Sequence, residues 1–456
     1  MAPQHLYDPS LYRFGEAQPS YWEATAGVPS LRNQPLTGPQ SCDVAIIGGG
    51  YTGLSAALHL ARDFGVDVRV LEAGHFGWGA SGRNGGFCTI GGTKIGLKRL
   101  ISRFGRDETR RYYRSQVEAI ELVRALGADE AIDYQIQGDG EFLVADSPAH
   151  FEGLIRDSEI RRDVLGLDVT TVPRDAFREI GYDAHHQHGA QLIKPAFALH
   201  PLHYVQGLAE AAERRGAILH PHSEVRTWRK QGGRHVLETR DGALAAGRVI
   251  VACNGFMPEH LHAGMAGRAL PLQSVIVVTR PLTETELAAH QWRTDRPAVN
   301  SPHDFCYYRM LPDKRLLIGA RADCTGTPSG AERTAQGLRE TIDRRWPHWA
   351  GIEITHSWRG LVCFNSDLRP AIGRLPEDNS VYFGFGYHGN GVNTATWTGR
   401  ELAYWLAGGN DASTSTPDHL PALVRGMTRR FPFPGLRRPY AWAGIAWHRL
   451  MDRFGL

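Results

Sequence analysis

Residues 42–73 read CDVAIIGGGYTGLSAALHLARDFGVDVRVLEA, and this stretch decides the fold. Residues 44–47 predict a buried parallel strand because they are apolar on both faces. The turn at residues 48–53, GGGYTG, satisfies the pattern GxGxxG and leads into a helix with apolar side chains at helical spacing. A second strand over residues 66–71 delivers Glu72 at its carboxyl end. Strand, turn, helix, strand and acid in this order predict a Rossmann-type nucleotide site.

Each part of this pattern has a physical role in holding a dinucleotide. Gly48 permits the tight turn, Gly50 lets the backbone approach a pyrophosphate, and Gly53 lets the helix pack against the strand. The N–H groups and the positive dipole end of the helix face the anion. Glu72 lies 19 residues after Gly53, where it can accept hydrogen bonds from a ribose diol. A glycine-rich turn in an ordinary core would leave the position of Glu72 unexplained.

The residues after Glu72 favour FAD over NAD. An NAD domain continues into its next βα unit at this point, whereas residues 73–87, AGHFGWGASGRNGGF, predict a small-residue loop that donates hydrogen bonds along an extended ligand. A further buried strand and turn follow at residues 248–255, and a strand, glycine loop and helix start follow at residues 381–393. A second positive helix end suits the flavin pyrimidine edge, where negative charge collects on reduction.

Segments along nearly the whole chain, from about Ser20 to the end, resemble one family. The segments GGGYTGLSAALHLA, LEAGHFGWGASGRNGG, ALHPLHYVQGLAEAAERRGA, RVIVACNG, RPAIGRL and GFGYHGNGVNTATWTGRELA are similar to those of the FAD-dependent D-amino-acid oxidase and sarcosine oxidase family. SYWEATAG and FPFPGLRRPYAWAGIAWHRL are most similar to its γ-glutamylputrescine oxidoreductase branch. The resemblance implies an α/β fold in which a Rossmann-type FAD-binding domain carries an inserted α+β substrate domain built on an antiparallel sheet.

The family fold implies that both domains are discontinuous along the chain. We expect the aromatic, amphipathic helix of the C-terminal tail to dock on the protein itself, the alternative being peripheral contact with a membrane surface. The predicted segments are an N-terminal arm of residues 1–40, an FAD-binding domain of residues 41–135, 195–265 and 355–410, a substrate domain of residues 136–194 and 266–354, and a tail of residues 411–456.

The same resemblance assigns the cofactor contacts to the fingerprint, the small-residue loop and the later turns. FAD is expected to bind without a covalent link, because Cys363 misses the position of the linking cysteine of one subgroup and Arg83 stands where another subgroup has a histidine. No metal site is expected. The predicted cofactor-binding residues are Gly48, Gly50, Tyr51, Thr52, Gly53, Glu72, Ala73, Ser81, Arg83, Asn84, Gly85, Gly86, Val225, Asn254, Gly255, Gly389, Asn390, Gly391 and Val392.

The family implies oxidation of a C–N bond: hydride leaves the carbon beside an uncharged amine for flavin N5, and water hydrolyses the imine to an aldehyde and an amine. Sarcosine oxidases hold the substrate carboxylate with a lysine whose position is occupied here by Asn393. An amide cannot replace an ammonium against a carboxylate, so we expect a polyamine derivative without an α-carboxylate beside the reacting amine. Leu317 occupies the position of a second lysine, which is linked to oxygen activation in those enzymes. The identity of the electron acceptor, oxygen or another acceptor, therefore stays open.

Four residues are expected to act at the reacting centre, and they are His388, Asn393, Tyr307 and Arg309. His388 lies in the flavin loop, where contact with the flavin or the substrate and capping of a helix start are equal alternatives. Tyr307 would belong to an aromatic wall, although strand tyrosines also serve in plain packing. Arg309 or Arg321 would capture a carboxylate remote from the reacting amine.

Composition bears on the remaining classes of function. The 51 basic and 48 acidic residues nearly balance, which argues against a flavin domain that acts in RNA modification or any other nucleic-acid partner. The start MAPQHLYDPS has no basic region followed by an apolar stretch, and the six cysteines form no CxxC pair, so we expect a cytoplasmic protein with reduced thiols. The open alternatives are an oxidase or dehydrogenase of an N-methyl or D-amino acid, an NAD-linked dehydrogenase and a non-catalytic flavoprotein scaffold.

Overall fold

A computed structural model of the chain describes residues 5–300, 305–322, 325–408 and 417–443. Their strands form two eight-stranded sheets and one two-stranded pair. The α-helices of the described residues are Tyr21–Thr25 (α1), Tyr51–Phe64 (α2), Leu97–Asp129 (α3), Pro148–Asp163 (α4), Arg174–Ile180 (α5), Pro201–Arg214 (α6), Glu284–Ala289 (α7), Pro328–Arg345 (α8) and Gly391–Ala407 (α9). The β-strands are Gly38–Ile47 (β1), Val68–Leu71 (β2), Phe87–Cys88 (β3), Glu141–Val144 (β4), Asp168–Pro173 (β5), Gly189–Lys194 (β6), Phe197–Ala198 (β7), Ile218–His220 (β8), Thr227–Gln231 (β9), Arg234–Glu238 (β10), Gly242–Val251 (β11), Ala269–Thr279 (β12), Ala298–Asn300 (β13), Cys306–Met310 (β14), Leu316–Arg321 (β15), Ile354–Asn365 (β16), Ala371–Leu375 (β17) and Asp378–Phe385 (β18).

The first sheet has the strand order β17-β18-β11-β1-β2-β8, with the hairpin β9–β10 attached to β11. Its pairings from β18 to β8 are parallel, and β17 joins the edge antiparallel. β1 lies inside this sheet because residues 44–47 are all buried, as their apolar character predicts. The predicted Rossmann-type arrangement is confirmed, although β1 begins earlier than expected, at Gly38.

Helix α2 is buried from Tyr51 to Ala61 because it packs against α6 and α9 as well as near the sheet. It ends at Gly65, whose φ of +62° places it in the left-handed region and whose N–H bonds the carbonyl of Ala61. At the other end, its N-cap residue Gly50 has no side chain to offer a cap. Helix α9 also begins without a side-chain cap from its N-cap residue, Asn390.

The second sheet has the strand order β16-β12-β15-β14-β13-β4-β6-β5. Its neighbours are antiparallel except β13 and β4, which confirms the predicted antiparallel sheet. Residues 355–365 were expected in the FAD-binding segment, but β16 pairs with β12 along its length. The chain therefore returns to the first sheet only at β17, and the wider division into domains stays a prediction.

The expected C-terminal tail is described from residue 417 to residue 443. Arg437 is buried there and donates hydrogen bonds to the Glu259 carboxylate at 2.8 Å and to the carbonyl of Ala269 at 2.7 Å. These bonds attach this part of the tail to β12, while the rest of the predicted amphipathic stretch lies outside the described residues. None of the helices in the described ranges is long and apolar enough to cross a membrane.

The crossing of α2 and α9 yields a stability prediction at Gly399. A Cβ at this position would lie 2.4 Å from the Thr52 carbonyl oxygen and 2.7 Å from Ser55 Cβ. We expect Gly399→Ala to lower the free energy of unfolding by ~1–3 kcal/mol because it overpacks the crossing. Gly337→Ala in α8 is the control, since nothing lies within 4 Å of its Cβ. We expect this control to raise the free energy of unfolding by ~0.5–1 kcal/mol. Denaturant unfolding of both variants measures the difference between them. Equal free energies of unfolding for the two variants would contradict the close crossing.

Candidate active site

A cavity of about 890 Å³ has walls from both large sheets. The carboxyl ends of β1 and β2 open on it, which is the edge where open parallel sheets bind ligands. Residues of β12, β14 and β16 form its other side. The predicted cofactor residues that line it are Gly48, Gly50, Tyr51, Thr52, Glu72, Ala73, Ser81, Arg83, Asn84, Gly85, Val225, Asn254, Gly389, Asn390, Gly391 and Val392; their contact with a cofactor stays a prediction.

The glycine turn leaves the N-terminus of α2 open to the cavity. Gly48 has a φ of +109°, and a Cβ there would lie 2.9 Å from the carbonyl atoms of Ala252. A Cβ at Gly53 would lie 2.0 Å from the carbonyl oxygen of Gly48, so the helix start is pressed against the turn. The Ser81 hydroxyl accepts a hydrogen bond from the Tyr51 N–H at 3.1 Å. This arrangement of backbone donors fits the pyrophosphate of a dinucleotide.

Glu72 lies directly after β2 and lines the same cavity. Its carboxylate accepts hydrogen bonds from the Gly49 N–H at 2.6 Å and the Gly74 N–H at 2.9 Å. Burial raises the pKa of this carboxyl, and the two N–H donors oppose that shift. The acid is therefore held beside the glycine turn, the position that the ribose of a dinucleotide requires.

The small-residue loop is held in shape by its own side chains. The Arg83 guanidinium lies 3.8 Å from the centre of the Trp78 ring, and its Nε donates to the Trp78 carbonyl at 2.6 Å. Burial lowers the pKa of Arg83 to about 9. The Asn84 amide donates to the Ser81 carbonyl at 2.8 Å and accepts from the Gly86 N–H at 2.7 Å. These bonds shape the loop from within, so it requires no ligand to set its course.

The N-terminus of α9 opens on the cavity through Asn390, Gly391 and Val392. The Asn390 amide donates to the Gln116 side chain at 3.1 Å and to the Thr394 hydroxyl at 3.2 Å, and it makes no cap hydrogen bond to the backbone of the helix start. The first turns of α2 and α9 thus present backbone N–H groups to one cavity, and each helix end favours negative charge. Two such ends fit a ligand with a diphosphate and a ring that gains negative charge on reduction.

Three predicted cofactor residues lie behind the cavity wall instead of on it: Gly53, Gly86 and Gly255. Gly86 lies against Leu199, whose carbonyl oxygen would be 2.0 Å from an added Cβ. Gly255 packs beside Cys363, 3.4 Å from an added Cβ. These small residues allow close packing that supports the wall, and their expected contact with a cofactor stays a prediction.

His388 and Tyr307 line the cavity, as expected for residues at the reacting centre. Burial lowers the pKa of His388 to about 3, so its imidazole is neutral near pH 7. The Tyr307 hydroxyl lies 3.0 Å from the Ser274 hydroxyl, and its ring meets the ring of Phe87 edge-on at 5.5 Å. Burial raises the pKa of Tyr307 to about 12, so the phenol is protonated. Together with Phe305, these rings form an aromatic wall.

The other two expected catalytic residues lie outside the cavity lining. Asn393 is fully buried on the first turn of α9, and neither its amide oxygen nor its amide nitrogen has a hydrogen-bond partner among the described residues. Arg309 donates to the Leu199 carbonyl at 2.7 Å and lies 5.3 Å from the Trp22 ring, because β14 carries it past the cavity. The expected substrate contacts of Asn393 and Arg309 therefore stay predictions that the cavity lining does not support. Arg321, the alternative carboxylate receptor, does line the cavity.

Three charged residues that line the cavity were not predicted, and they are Lys94, Glu141 and Glu224. Burial raises the pKa of Glu141 to about 7, whereas removal from bulk water and the charge of Arg321 lower the pKa of Lys94. Strand alternation is a signal for Glu141, because Leu143 also lines the cavity whereas Phe142 packs in the core of the second sheet. Lys94 lies in an irregular loop before α3, where the sequence carries no comparable signal.

Comparisons with known proteins agree with this geometry. The profile of a family described as FAD dependent oxidoreductase (DAO) matches residues 43–405. Gamma-glutamylputrescine oxidoreductase of Escherichia coli (strain K12) is 30% identical over 429 residues, which cover 91% of this chain and 94% of that protein. The probable oxidoreductase OrdL of Rhizobium meliloti (strain 1021) is 30% identical over 453 residues, covering 95% and 97%. The crystal structure of glycine oxidase from Geobacillus kaustophilus shares the fold, with a TM-score of 0.68 at 22% identity over 80% of this chain and 94% of that one.

Glu72 provides a direct test of the cofactor site. We expect Glu72→Gln to weaken FAD binding by roughly tenfold or more, because it removes the charge from a hydrogen-bonding carboxylate. Titration of the apoprotein with FAD, followed by flavin fluorescence, measures the dissociation constant. Glu332→Gln, at an exposed position of α8, is the control and should leave that constant unchanged. A Glu72→Gln protein that folds and binds FAD as tightly as the parent would contradict the proposed ribose contact.

Proposed function

The chain belongs to the DAO family of FAD-dependent oxidoreductases, and on this premise we propose that it oxidises the C–N bond of an amine whose reacting carbon bears no α-carboxylate, such as a γ-glutamylated polyamine. Similarity to gamma-glutamylputrescine oxidoreductase over 91% of the chain supports the proposal. The observation that carries it is the start of α9, where Asn390, Gly391 and Val392 line the cavity with Asn393 buried behind them, so that no residue there provides a cation for such a carboxylate.

The residues present fit FAD. The N-terminus of α2 would hold the diphosphate, Glu72 the ribose, and the N-terminus of α9 the pyrimidine edge of the flavin. When bound, FAD supplies a hydride acceptor for the carbon beside the amine. The glycine turn keeps the start of α2 close to the neighbouring backbone, because side chains at Gly48 and Gly53 would collide with that backbone.

The cavity wall favours an uncharged reacting amine. Phe87, Phe305 and Tyr307 exclude water from part of the cavity, and an apolar environment disfavours the ammonium form. His388 is neutral at its buried position, so it can donate or accept a hydrogen bond without adding charge. We propose that these residues orient the neutral amine, after whose oxidation water hydrolyses the imine to an aldehyde and an amine.

The cations of the cavity lie on other elements than α9. Arg321 ends β15, and Lys94 lies in the loop before α3. They are the candidates for binding a carboxylate remote from the reacting carbon, which a γ-glutamyl group would supply. Oxidation of an N-methyl or D-amino acid would instead require one of them beside the reacting carbon, and substrate comparison separates the two cases.

A substrate panel under anaerobic conditions tests the proposed function. We expect γ-glutamylputrescine to bleach the flavin roughly tenfold or more faster, per unit concentration, than sarcosine or D-alanine, because an α-carboxylate in a site without its partner leaves a charge unpaired. Stopped-flow absorbance of the flavin measures these rates. Fastest bleaching by sarcosine or a D-amino acid would contradict the argument from Asn393. A colourless protein that uses NAD would contradict the proposal altogether.

The electron acceptor is tested on the same reduced protein. Leu317 is fully buried in the hydrophobic core, so no cation stands at this strand position. We propose oxygen or another redox partner as the acceptor. Hydrogen peroxide formed in step with flavin reoxidation after admission of air identifies an oxidase, and reoxidation only by an added acceptor identifies a dehydrogenase.

Non-covalent binding of FAD is typical of this family, and Cys363 provides the corresponding test. This cysteine lines the cavity, and burial raises the pKa of its thiol to about 12, which leaves little nucleophilic thiolate. We expect denaturation in acid to release all of the FAD, and the intact mass of the chain to equal that of the unmodified sequence. Cys363→Ser should keep the same FAD content. A flavin-modified peptide containing Cys363 would contradict this expectation.

A further inference from the structure

A segment near the start of the chain supplies an aromatic side chain to the cavity wall, and the proposed hydride transfer makes no use of it. Residues 5–16, which we call the N-terminal strap, precede the first sheet, and Pro9–Tyr12 within them form a short 3-10 helix. The Asp8 carboxylate caps this helix because it accepts a hydrogen bond from the Ser10 N–H at 2.9 Å. Phe14 follows the helix and lines the cavity.

The N-terminal strap is anchored on the second sheet. The Tyr7 hydroxyl donates a hydrogen bond to the carbonyl of Pro271 in β12. The Arg359 guanidinium, which belongs to β16, donates a hydrogen bond to the Ser10 hydroxyl at 2.7 Å. Neither bond involves Phe14, so these anchors do not explain why an aromatic ring stands at position 14.

Phe14 lies at the end of the cavity where Glu72 lies. A Cβ at Gly74 would lie 2.9 Å from the Phe14 carbonyl oxygen, so the N-terminal strap packs directly against this glycine. The Gly74 N–H in turn donates to the Glu72 carboxylate at 2.9 Å. The base of a dinucleotide is attached to the ribose that this acid would bind. A base bound at this end would therefore lie close to the N-terminal strap.

The ring of Phe14 is only partly covered by the protein. It meets the Trp78 ring edge-on, with the ring centres 4.7 Å apart, and the Trp78 indole N–H donates to the Glu16 carbonyl at 2.8 Å. Phe14 is nevertheless only half-buried. A planar aromatic ligand in the cavity would cover more of the ring, because aromatic rings stabilise each other in edge-on and offset-stacked contacts.

We propose that Phe14 contacts the adenine ring of FAD, so that the N-terminal strap closes the adenosine end of the cavity over the bound cofactor. Val225 belongs to the same end, because it lines the cavity two residues after Ser223, whose N–H donates to the Glu72 carbonyl at 2.7 Å. The base would then meet apolar side chains from two separate segments of the chain. This inference concerns the adenosine half of the cofactor and does not depend on which amine is oxidised.

Three ligands isolate the contact with adenine: FAD, ADP, which lacks the flavin, and FMN, which lacks the adenosine. With the apoprotein we expect Phe14→Ala to raise the dissociation constants of FAD and ADP by about fivefold to thirtyfold, the lower part of the range for loss of stacking between a base and an aromatic ring. The dissociation constant of FMN should stay close to that of the parent. Flavin fluorescence measures FAD and FMN binding, and calorimetry measures ADP binding.

Two further variants serve as controls for these titrations. Phe14→Tyr keeps an aromatic ring and should bind FAD nearly as tightly as the parent. Phe433→Ala removes a ring that is 75% exposed in the tail and should leave all three dissociation constants unchanged. The thermal midpoint of each apoprotein establishes that the fold is intact. At saturating FAD, Phe14→Ala should keep the parent's rate of flavin reduction by the amine, because the contact is remote from the flavin ring.

Cleavage by trypsin after Arg13 reports on the N-terminal strap without any measurement of activity. The Arg13 side chain is 61% exposed and directly precedes Phe14. We expect FAD and ADP to slow this cleavage by about threefold or more, because a bound ligand opposes local opening of the segment that contacts it. FMN should leave the rate unchanged, and Phe14→Ala should lose the protection. Arg240, whose side chain is 78% exposed in the turn after β10, is the control site and should not respond to ADP.

The outcomes separate this inference from the proposed function. A folded Phe14→Ala protein that binds FAD and ADP as tightly as the parent would overturn the contact while leaving amine oxidation in place. An equal loss of affinity for FMN would overturn it as well, because the effect would then lie outside the adenosine half. If the parent protein bound no FAD, the cofactor site and the proposed function would fail first, and this inference would fail with them.

Discussion

The constraint on which the rest of the structure depends is that two helix N-termini open on one cavity without side-chain caps from their N-cap residues. Gly50 has no side chain, and the Asn390 amide is engaged with Gln116 and Thr394. Backbone N–H groups at a helix start need acceptors, and an anionic ligand supplies them at both ends. Because α2 and α9 cross closely at Gly399, the two ends are also fixed relative to each other. A long dinucleotide can then contact both.

The parts of the fold that sequence predicts well are those whose cause is local. The glycine turn, α2, its end at Gly65 and the acid at position 72 follow one another within a short stretch, so each can be assigned from its neighbours. β16 could not be assigned in the same way. Its partner β12 lies far away in sequence, and strand pairing depends on which surface is free after the chain has collapsed. The assignment of residues 355–365 to the FAD-binding segment therefore did not anticipate their pairing with β12.

The same distinction between local and distant causes applies to the candidate site. Residue types at the turns predicted most of the cavity lining, because glycine loops and helix starts determine where the backbone goes. The direction of single side chains was harder to predict, as β14 illustrates. Tyr307 and Arg309 share one side of the strand, yet the cavity ends between them and Arg309 bonds Leu199 instead. Lys94 was missed for a further reason, since no sequence pattern shows which residue of an irregular loop will reach the cavity.

The cavity combines two requirements that oppose each other. An uncharged reacting amine needs an apolar wall, whereas recognition of a polar substrate end needs buried charges, which are costly when unpaired. The aromatic rings of Phe87 and Tyr307 and the buried carboxyl of Glu141 belong to different elements, which lets one cavity meet both requirements. Burial of Glu141 favours a ligand that satisfies its carboxyl, because an unpaired buried charge costs more free energy than a satisfied one gains.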